Sequence, residues 1–311
     1  LGQNSPEAVL AAARQAALQA GALEDEAAVM AALREAKADL HLAAALADLA
    51  GAFTLENTVE AISDFADAAV KAALQAAARL SGLPADDPDN PVPGLFVLTL
   101  GKHGQRSLNY SSDVDLAVFW EPDTLRAPPG KDPVRALDRL IKRMVHILNE
   151  TTAHGYVFRI DLRLRPDPSS TPLAVNAEMA RHYFEAVGQN WERAAYAKAR
   201  ACAGDGETAA AFLKDLEPFI WRRALDYAAV DDIRALAKQI QAVGKRSKIL
   251  TGGHDLKLGR GGIREIEFFA QVLQLVFGGR RPGLRPPGTL QALGGLAREN
   301  LIDPEDADAL S

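Results

Sequence analysis

The sequence has a single cysteine, few aromatic residues and no long run of uncharged apolar residues. One thiol excludes a disulfide framework. No uncharged apolar stretch reaches about 18 residues, which predicts that nothing spans a membrane. The sequence shows no basic leader followed by an apolar stretch, so the cytoplasm is the expected location. Cys202 has no accompanying Cys-His pattern and is predicted to be a packing residue.

A surplus of positive charge is also missing. The chain has 35 Lys and Arg against 41 Asp and Glu, a formal net charge of −6. Nucleic-acid binders normally present a basic face to the phosphate backbone, so we expect no nucleic-acid partner. Zinc-ligand spacing, a Ser-His-Asp set and a dinucleotide fingerprint are not found in the sequence.

Alanine-rich, helix-favouring segments dominate the first eighty residues and recur later. They predict an α+β fold in which a small mixed sheet is embedded in a mainly helical chain. A proline-rich linker at 84–94 ends the first helices. We expect an N-terminal helical region at 1–83, a catalytic core at 95–205 and a C-terminal helical region at 206–311, all part of a longer protein.

Hydrophobic periodicity and turn residues place the individual elements. Strands are predicted at 95–100, 114–120 and 156–164. Helices are predicted at about 132–150, 176–187, 190–203, 207–227, 230–247 and 263–277, with two more within 288–310.

Two aspartates stand two residues apart where the second predicted strand begins. Side chains at i and i+2 of a strand point the same way, roughly 6–7 Å apart, so Asp113 and Asp115 can converge on one cation. Asp161 lies inside the third predicted strand, where an isolated acid would be costly to bury. Three such carboxylates can hold two divalent ions about 3.5–4 Å apart, an arrangement used for displacement at phosphorus. For Asp113 alone, turn or cap chemistry is the alternative.

Glycines and cations near these acids are candidates for phosphate binding. Lys102 and the backbone N–H groups around Gly101 and Gly104 can meet a phosphate, because glycine permits close approach. Arg163 and Arg165 alternate with leucines and are expected on the face of Asp161, suited to bidentate phosphate contacts. Neutralisation of Asp161 is the alternative role for both. Ser112 belongs to the same candidate set.

Further candidates lie in the segment predicted as a helix at 190–203. Glu192, Lys198 and Arg200 are candidate substrate-binding residues. A solvated, ion-paired helix face containing Glu192, Arg193 and Lys198 is the alternative. The glycine-rich loop at 257–268 lacks the ending of a Walker loop, and its charged residues are expected either to order the loop or to reach the site.

Four sequence blocks together resemble one family, the bifunctional glutamine synthetase adenylyltransferase/adenylyl-removing enzymes. The blocks occur in the family order over about residues 95–300. They are Gly101-Lys102 with Asn109-Tyr110-Ser111-Ser112-Asp113-Val114-Asp115, then Asp161-Leu162-Arg163-Leu164-Arg165-Pro166, then Trp191-Glu192-Arg193 with Lys198-Ala199-Arg200, and finally the loop 257–268. One departure is found, because His103 and Gln105 replace residues of the family's usual Gly-Lys-Leu-Gly-Gly.

The resemblance implies a polymerase-β-type nucleotidyltransferase fold in which Asp113, Asp115 and Asp161 bind Mg²⁺, as two ions. The loop 257–268, followed by Phe277-Gly278-Gly279-Arg280, is similar to the adenylyl-removing half of that family. The implied reaction is phosphorolysis: inorganic phosphate attacks the adenylyl phosphorus on a tyrosine of glutamine synthetase and gives ADP. A PII signal protein is implied as a partner through the full-length enzyme.

Two alternatives stay open. The chain could be the adenylylating half, which would transfer AMP from ATP to glutamine synthetase. It could also be a regulatory module that binds glutamine synthetase or a PII protein without turnover, although a complete set of metal ligands argues against a module.

Overall fold

The computed structural model describes residues 5–83, 85–125, 132–223, 255–257, 259 and 261–311. The chain forms two compact units that interleave along the sequence. The first unit contains Leu1–Tyr183 and Ala199–Lys214, and the second contains Phe184–Lys198 and Asp215–Ser311. The three regions expected from sequence stay a prediction about domain organisation.

Three long helices begin the first unit: α1 at Pro6–Ala20, α2 at Glu26–Leu49 and α3 at Leu55–Leu80. Each begins with a side-chain cap that satisfies a free backbone N–H group. Ser5 and Asp25 cap the first two, and Thr54 forms a capping box with Asn57 at the third. The alanine-rich α3 buries a nearly continuous face, which makes it the central helix of the unit's core.

The sheet is mixed and small, as predicted. Strand β1 at Leu95–Thr99 pairs antiparallel with both β2 at Val114–Trp120 and β5 at Arg200–Gly204. The other edge of β2 carries two short parallel strands, β3 at Ile160–Asp161 beside its start and β4 at Ala174–Asn176 beside its end. Strand β2 is therefore the interior strand on which the sheet is organised.

Helices cover both faces of this sheet. On one face, α3 and α5 at Pro133–Asn149 pack on Val97, Leu116 and Val118 in a single apolar cluster. On the other, Phe212 of helix α8 lies 4.7 Å, ring centre to ring centre, from Phe119. Because strand side chains alternate, odd-numbered residues of β2 point away from the α3 and α5 side.

The other described elements are helices and one 3₁₀ turn. They are the short helix α4 at Gly101–Gly104, α6 at Ala177–Ala186, α7 at Asn190–Tyr196, α8 at Gly206–Ile220, α9 at Ile263–Phe277, a 3₁₀ turn at Pro282–Leu284, α10 at Thr289–Arg298 and α11 at Pro304–Ala309. Within the second unit, α9 packs against α10 around Ala270 and Leu293. Over the described residues, every helix is too short or too polar to cross a membrane.

Several predicted elements differ from the structure. The strand expected at 156–164 is limited to Ile160–Asp161. The helix expected at 190–203 ends at Tyr196, and Arg200–Gly204 form strand β5 instead. Strand β4 was not predicted. The helix expected at 230–247 lies outside the described residues.

Candidate active site

Two of the predicted acidic residues lie directly opposite each other. Asp115 on β2 and Asp161 on β3 are Cα partners in parallel register, and Val114 pairs with Ile160 one step earlier. Val114 and Ile160 contribute to the core on the α3 and α5 side. Strand alternation therefore turns both carboxylates to the opposite face, at the beginning of β2. The juxtaposition that the metal prediction requires is present for this pair.

Asp113, two residues before Asp115, is held by an arginine. Arg159 donates from Nε to Oδ1 of Asp113 at 2.5 Å, from Nη2 to the carbonyl of Ser111 at 2.7 Å and from Nη1 to the Tyr156 hydroxyl at 2.7 Å. The Asp113 carboxylate raises the pKa of Arg159 through this hydrogen bond and its charge. Arg159 thus ties the loop before β2 to the segment that leads into β3.

Asp161 has a second arginine as its partner. The strand ends at this residue, and the following turn brings Arg163 back so that its Nε lies 3.0 and 2.9 Å from the two carboxylate oxygens and its Nη2 lies 2.5 Å from Oδ2. The Arg163 backbone N–H also donates to Oδ1 at 2.8 Å. The hydrogen bond from the guanidinium lowers the pKa of Asp161 although partial burial opposes the shift. Asp161 is therefore an anion at neutral pH.

The glycine turn that follows β1 lies against Asp115. Gly101 has φ of +56°, a conformation that side chains disfavour. A Cβ built at this position would lie 2.4 Å from Oδ2 of Asp115, so the absence of a side chain lets that oxygen lie against the backbone of the turn. Backbone hydrogen bonding fixes the register, because Leu100 N–H donates to the Asp115 carbonyl at 3.0 Å. Lys102 and Gly104 belong to the same short helix, α4.

A network of short-range hydrogen bonds shapes the loop between this turn and β2. Asn109 N–H donates to the Ser112 hydroxyl at 3.0 Å, and that hydroxyl donates to Asn109 Oδ1 at 2.9 Å. Ser111 N–H donates to the same amide oxygen at 3.2 Å. These contacts give Ser112 a local structural role, and its predicted role in phosphate binding stays a prediction.

The donor set fits a hard divalent cation, because carboxylate oxygens are the ligands that Mg²⁺ prefers. Asp115 and Asp161 face one side, and an Asp115 oxygen lies against the backbone of Gly101. In the part of the chain that the structure describes, no three acidic, histidine or cysteine side chains are already gathered as a metal-binding group. Arginines hold Asp113 and Asp161 in this arrangement. Metal ligation by the trio stays a prediction.

Arg165 does not share the face of Asp161, as the longer predicted strand would have required. Because β3 ends at Asp161, Arg165 lies beyond it and turns inward. Its guanidinium donates to the carbonyls of Leu162 and Pro168, both at 2.8 Å, and of Thr171 at 3.3 Å. Burial lowers the pKa of Arg165, with the charge of Asp138 acting in the opposite direction. These contacts hold the loop between β3 and β4.

Arg200 also differs from its predicted helical setting. At the first position of β5 it donates from Nη1 and Nη2 to the two Asp67 oxygens, at 2.7 and 2.9 Å, and from Nη2 to the His103 carbonyl at 3.1 Å. Nε2 of the fully buried His103 lies 2.7 Å from Oδ1 of Asp67. The network of Asp67, His103 and Arg200 fixes the glycine turn through contacts with the side chain and the carbonyl of His103.

Sequence reasoning did not identify Asp67. It lies inside α3, 133 positions from Arg200, and an aspartate within an amphipathic helix carries no local signal for a distant partner. Its pKa is raised by burial, but the hydrogen bonds and charges of His103 and Arg200 outweigh that effect and lower it overall. Burial lowers the pKa of His103, with the hydrogen bond and charge of Asp67 acting in the opposite direction.

Glu192, Arg193 and Lys198 belong to the second unit. Glu192 and Arg193 are fully buried, so the solvated helix face weighed as an alternative is wrong for these two residues. Glu192 Oε2 accepts from Gln189 N–H at 2.8 Å and caps α7. Arg193 donates to the Ile220 carbonyl from Nε at 3.3 Å and from Nη2 at 3.1 Å. Substrate binding by Glu192 and Lys198 stays a prediction.

The glycine-rich loop before α9 is ordered in part by a glutamate. Glu265, in the first turn of α9, accepts from the Gly261 N–H at 2.8 Å. Gly262 is the N-cap residue, and Cβ atoms of other residues would collide there with the Leu256 carbonyl at 2.6 Å. This agrees with the ordering role considered for the charged residues of the loop.

Fold and site together define a mixed α/β domain with opposed carboxylates where the interior strand begins. A family model described as glutamate-ammonia ligase adenylyltransferase matches residues 2–215, and the chain belongs to this family. A second model, described as GlnD PII-uridylyltransferase, matches residues 234–311.

Similar curated proteins bear the name bifunctional glutamine synthetase adenylyltransferase/adenylyl-removing enzyme. The chain is 51% identical over 282 residues to the one from Caulobacter vibrioides, covering 88% of this chain and 28% of that protein. Against the protein from Mesorhizobium japonicum, identity is 48% over 311 residues, which is 98% of this chain and 31% of that protein. The chain thus spans less than a third of the length of these two relatives.

Proposed function

We propose that the chain is an Mg²⁺-dependent nucleotidyltransferase of the polymerase-β type that removes adenylyl groups from glutamine synthetase. The observation that carries the proposal is the direct pairing of Asp115 with Asp161 beside Gly101. Opposed carboxylates next to a glycine turn are what phosphoryl chemistry requires: cation ligands on one side and backbone N–H groups for phosphate on the other. The names of the relatives supply glutamine synthetase as the substrate.

The reaction that we propose is phosphorolysis. An oxygen of inorganic phosphate attacks the adenylyl phosphorus and forms the new P–O–P bond of ADP. The bond from that phosphorus to the tyrosine oxygen breaks, and the phenolate takes a proton from solvent. A tyrosine with a pKa of about 10 is a moderate leaving group, so charge stabilisation matters more than a dedicated acid.

Each group of the site has a role in this proposal. Asp113, Asp115 and Asp161 would hold Mg²⁺, which when bound neutralises charge on the phosphate oxygens and on the departing phenolate. The first N–H groups of the turn at Gly101–Gly104 would position phosphate, with Lys102 adding positive charge. The Gly104 N–H already donates to the Leu100 carbonyl at 2.9 Å. Arg163 lies at the edge of the acids, where it can contact phosphate oxygens in a bidentate manner.

The test is a product assay with the 311-residue chain, adenylylated glutamine synthetase, Mg²⁺ and inorganic phosphate. The proposal requires phosphate-dependent release of ADP, and Asp115→Asn should abolish it. Release of AMP would mean hydrolysis and would remove phosphate from the reaction. If neither the natural chain nor Asp115→Asn releases a product, and both bind glutamine synthetase, the result would favour a regulatory module.

The adenylylating reaction is a second candidate, since the matching family model is described as an adenylyltransferase. It is tested with ATP and unmodified glutamine synthetase, where incorporation of AMP would overturn the proposed direction. We also propose a PII protein as a partner of residues 234–311, because these match the PII-uridylyltransferase model. Titration calorimetry of the chain with a PII protein tests this contact.

A further inference from the structure

We infer that Arg163 is an exchangeable counter-ion, which occupies the acidic site until a divalent cation binds and is then released to bind phosphate. The inference rests on the proposed function for the identity of the site. It adds a coupling: binding of the cation and binding of phosphate strengthen each other through one side chain.

Arg163 lies beside the paired acids. Its guanidinium nitrogens lie 2.5–3.0 Å from the Asp161 carboxylate oxygens. Asp115 is the Cα partner of Asp161 across the two strands, so the positive charge of Arg163 lies next to this pair of carboxylates. Like charges held together repel, so the three acids need a compensating cation when no metal ion is present. Arg163 supplies positive charge to the predicted trio.

Arg163 is held loosely, by one partner at the protein surface. Its side chain is 85% exposed, against 21% for Asp161. Over the described residues, the hydrogen bonds of its guanidinium go to Asp161. An exposed ion pair of this kind contributes little to stability, so it is readily exchanged.

Arg159 provides the contrast within the same site. Its guanidinium has three partners on two chain segments, namely the Asp113 carboxylate, the Ser111 carbonyl and the Tyr156 hydroxyl. Losing one of these contacts leaves two in place, so we expect Arg159 to stay where it is. Of the two arginines, Arg163 is therefore the one that loses contacts to a single residue when it is released.

Release would free Arg163 for a second ligand. Asp115 and Asp161 would hold a divalent cation, whose charge would replace that of Arg163 beside the Asp161 oxygens. The guanidinium keeps its charge and its planar set of donors, which suits two oxygens of a phosphate. Arg163 would remain at the edge of the acids, two residues after Asp161, where phosphate oxygens are expected. Coupling through a shared group is reciprocal, so each ligand raises the affinity for the other.

Binding measurements on the full 311-residue chain test this inference. Mn²⁺ binding, measured by electron paramagnetic resonance without phosphate, should be tighter in Arg163→Gln than in the natural sequence by about twofold to fivefold, because the competing charge is gone. Phosphate binding, measured by calorimetry, should be strengthened by Mg²⁺ in the natural sequence. That enhancement should be lost in Arg163→Gln and partly restored in Arg163→Lys.

A matched control is available on α5. Arg135 is 82% exposed and its Nε lies 3.5 Å from Asp132, three positions earlier, so it is another exposed arginine paired with a near neighbour. Arg135→Gln should change neither Mn²⁺ nor phosphate binding. Equal or weaker Mn²⁺ binding by Arg163→Gln, or an undiminished Mg²⁺ effect on phosphate, would overturn the inference.

The outcomes separate this inference from the proposed reaction. Tighter Mn²⁺ binding by Arg163→Gln without release of ADP from adenylylated glutamine synthetase would support the counter-ion exchange and reject phosphorolysis. Release of ADP with unchanged Mn²⁺ binding would do the reverse. Mn²⁺ binding that Asp115→Asn leaves unaltered would place the cation elsewhere and overturn the inference.

Discussion

Asp115 and Asp161 are direct partners across two parallel strands, and each stands at a position where its neighbour points into the core. A slip of one residue between β2 and β3 would turn Asp161 inward and Ile160 outward. The apolar residues that surround the acids therefore specify the register of the site. The alternation of side chains along β2 and β3 therefore places the apolar residues in the core and the two acids on the opposite face.

The first prediction concerns these two acids. Asp115→Asn and Asp161→Asn should each lower phosphate-dependent ADP release by at least about 100-fold, because a neutral amide is a poor ligand for a hard cation. Thermal unfolding should change little, since the amides keep the shape of the side chains. Asp89→Asn, which removes the ion pair of an exposed aspartate with Lys71, is the control and should keep its activity. A fully active Asp161→Asn enzyme would refute the ligand assignment.

The second prediction uses two glycines with the same backbone conformation. Gly101 has φ of +56° and Gly51 has φ of +68°, so alanine at either position should cost about 1–2 kcal/mol in the free energy of unfolding. Only at Gly101 does the new Cβ meet a side chain, Asp115 Oδ2 at 2.4 Å, whereas at Gly51 nothing lies within 4 Å. Urea unfolding and ADP release should therefore separate the variants: both lose stability, and Gly101→Ala alone loses activity. Equal activity of the two variants would contradict the close approach.

The third prediction concerns the pH dependence of stability. Burial lowers the pKa of His103, so the unfolded chain binds the proton more readily than the folded chain. This contribution to stability is present above the unfolded pKa of about 6.5 and is lost as pH falls below it, by up to about 1.4 kcal/mol per pH unit. Urea unfolding between pH 5 and 7.5 should give a flatter profile for His103→Leu. The exposed His154 is the control, and a His154→Leu profile should keep the slope of the natural sequence.

The fourth prediction concerns Lys37 on α2. Burial, followed by the charges of Arg159 and Arg34, lowers its pKa to about 8. Its Nζ donates to the Tyr156 carbonyl at 3.0 Å and lies 4.5 Å from the centre of the Tyr156 ring. Nuclear magnetic resonance of labelled lysine side chains should show one group that titrates near pH 8, and this signal should vanish in Lys37→Arg. Titration of that signal near the usual value of about 10.4 would contradict the effect of burial on the pKa of Lys37.

Local sequence patterns were sufficient for much of the fold. The apolar run at 114–120 and the apolar periodicity at 263–277 match β2 and α9. The helix predicted at 190–203 overlaps strand β5 because the alanines of β5 favour helix locally, whereas its pairing with β1 depends on residues about a hundred positions away. The segment 162–165 continues the alternation of a strand, yet the hydrogen bonds of Arg163 and Arg165 fold it into a turn.

Some residues of the candidate site could be predicted from the sequence, and others could not. Asp115 and Asp161 could be found because each interrupts an apolar strand pattern with a charge. The partners Asp67 and Arg159 could not be assigned, since neither spacing nor composition indicates which acid or turn a distant residue will contact. Three-dimensional proximity is the information that a linear pattern lacks.

Cys202 lies in β5, where its thiol is buried and its pKa is raised by that burial. It is also the only cysteine of the chain. Thiol-reactive dyes and spin labels should therefore leave the native fold unmodified, so that one cysteine introduced on the surface becomes a unique attachment point. Distances between a label near Arg163 and a second probe can then be followed during cation binding without first removing a natural thiol.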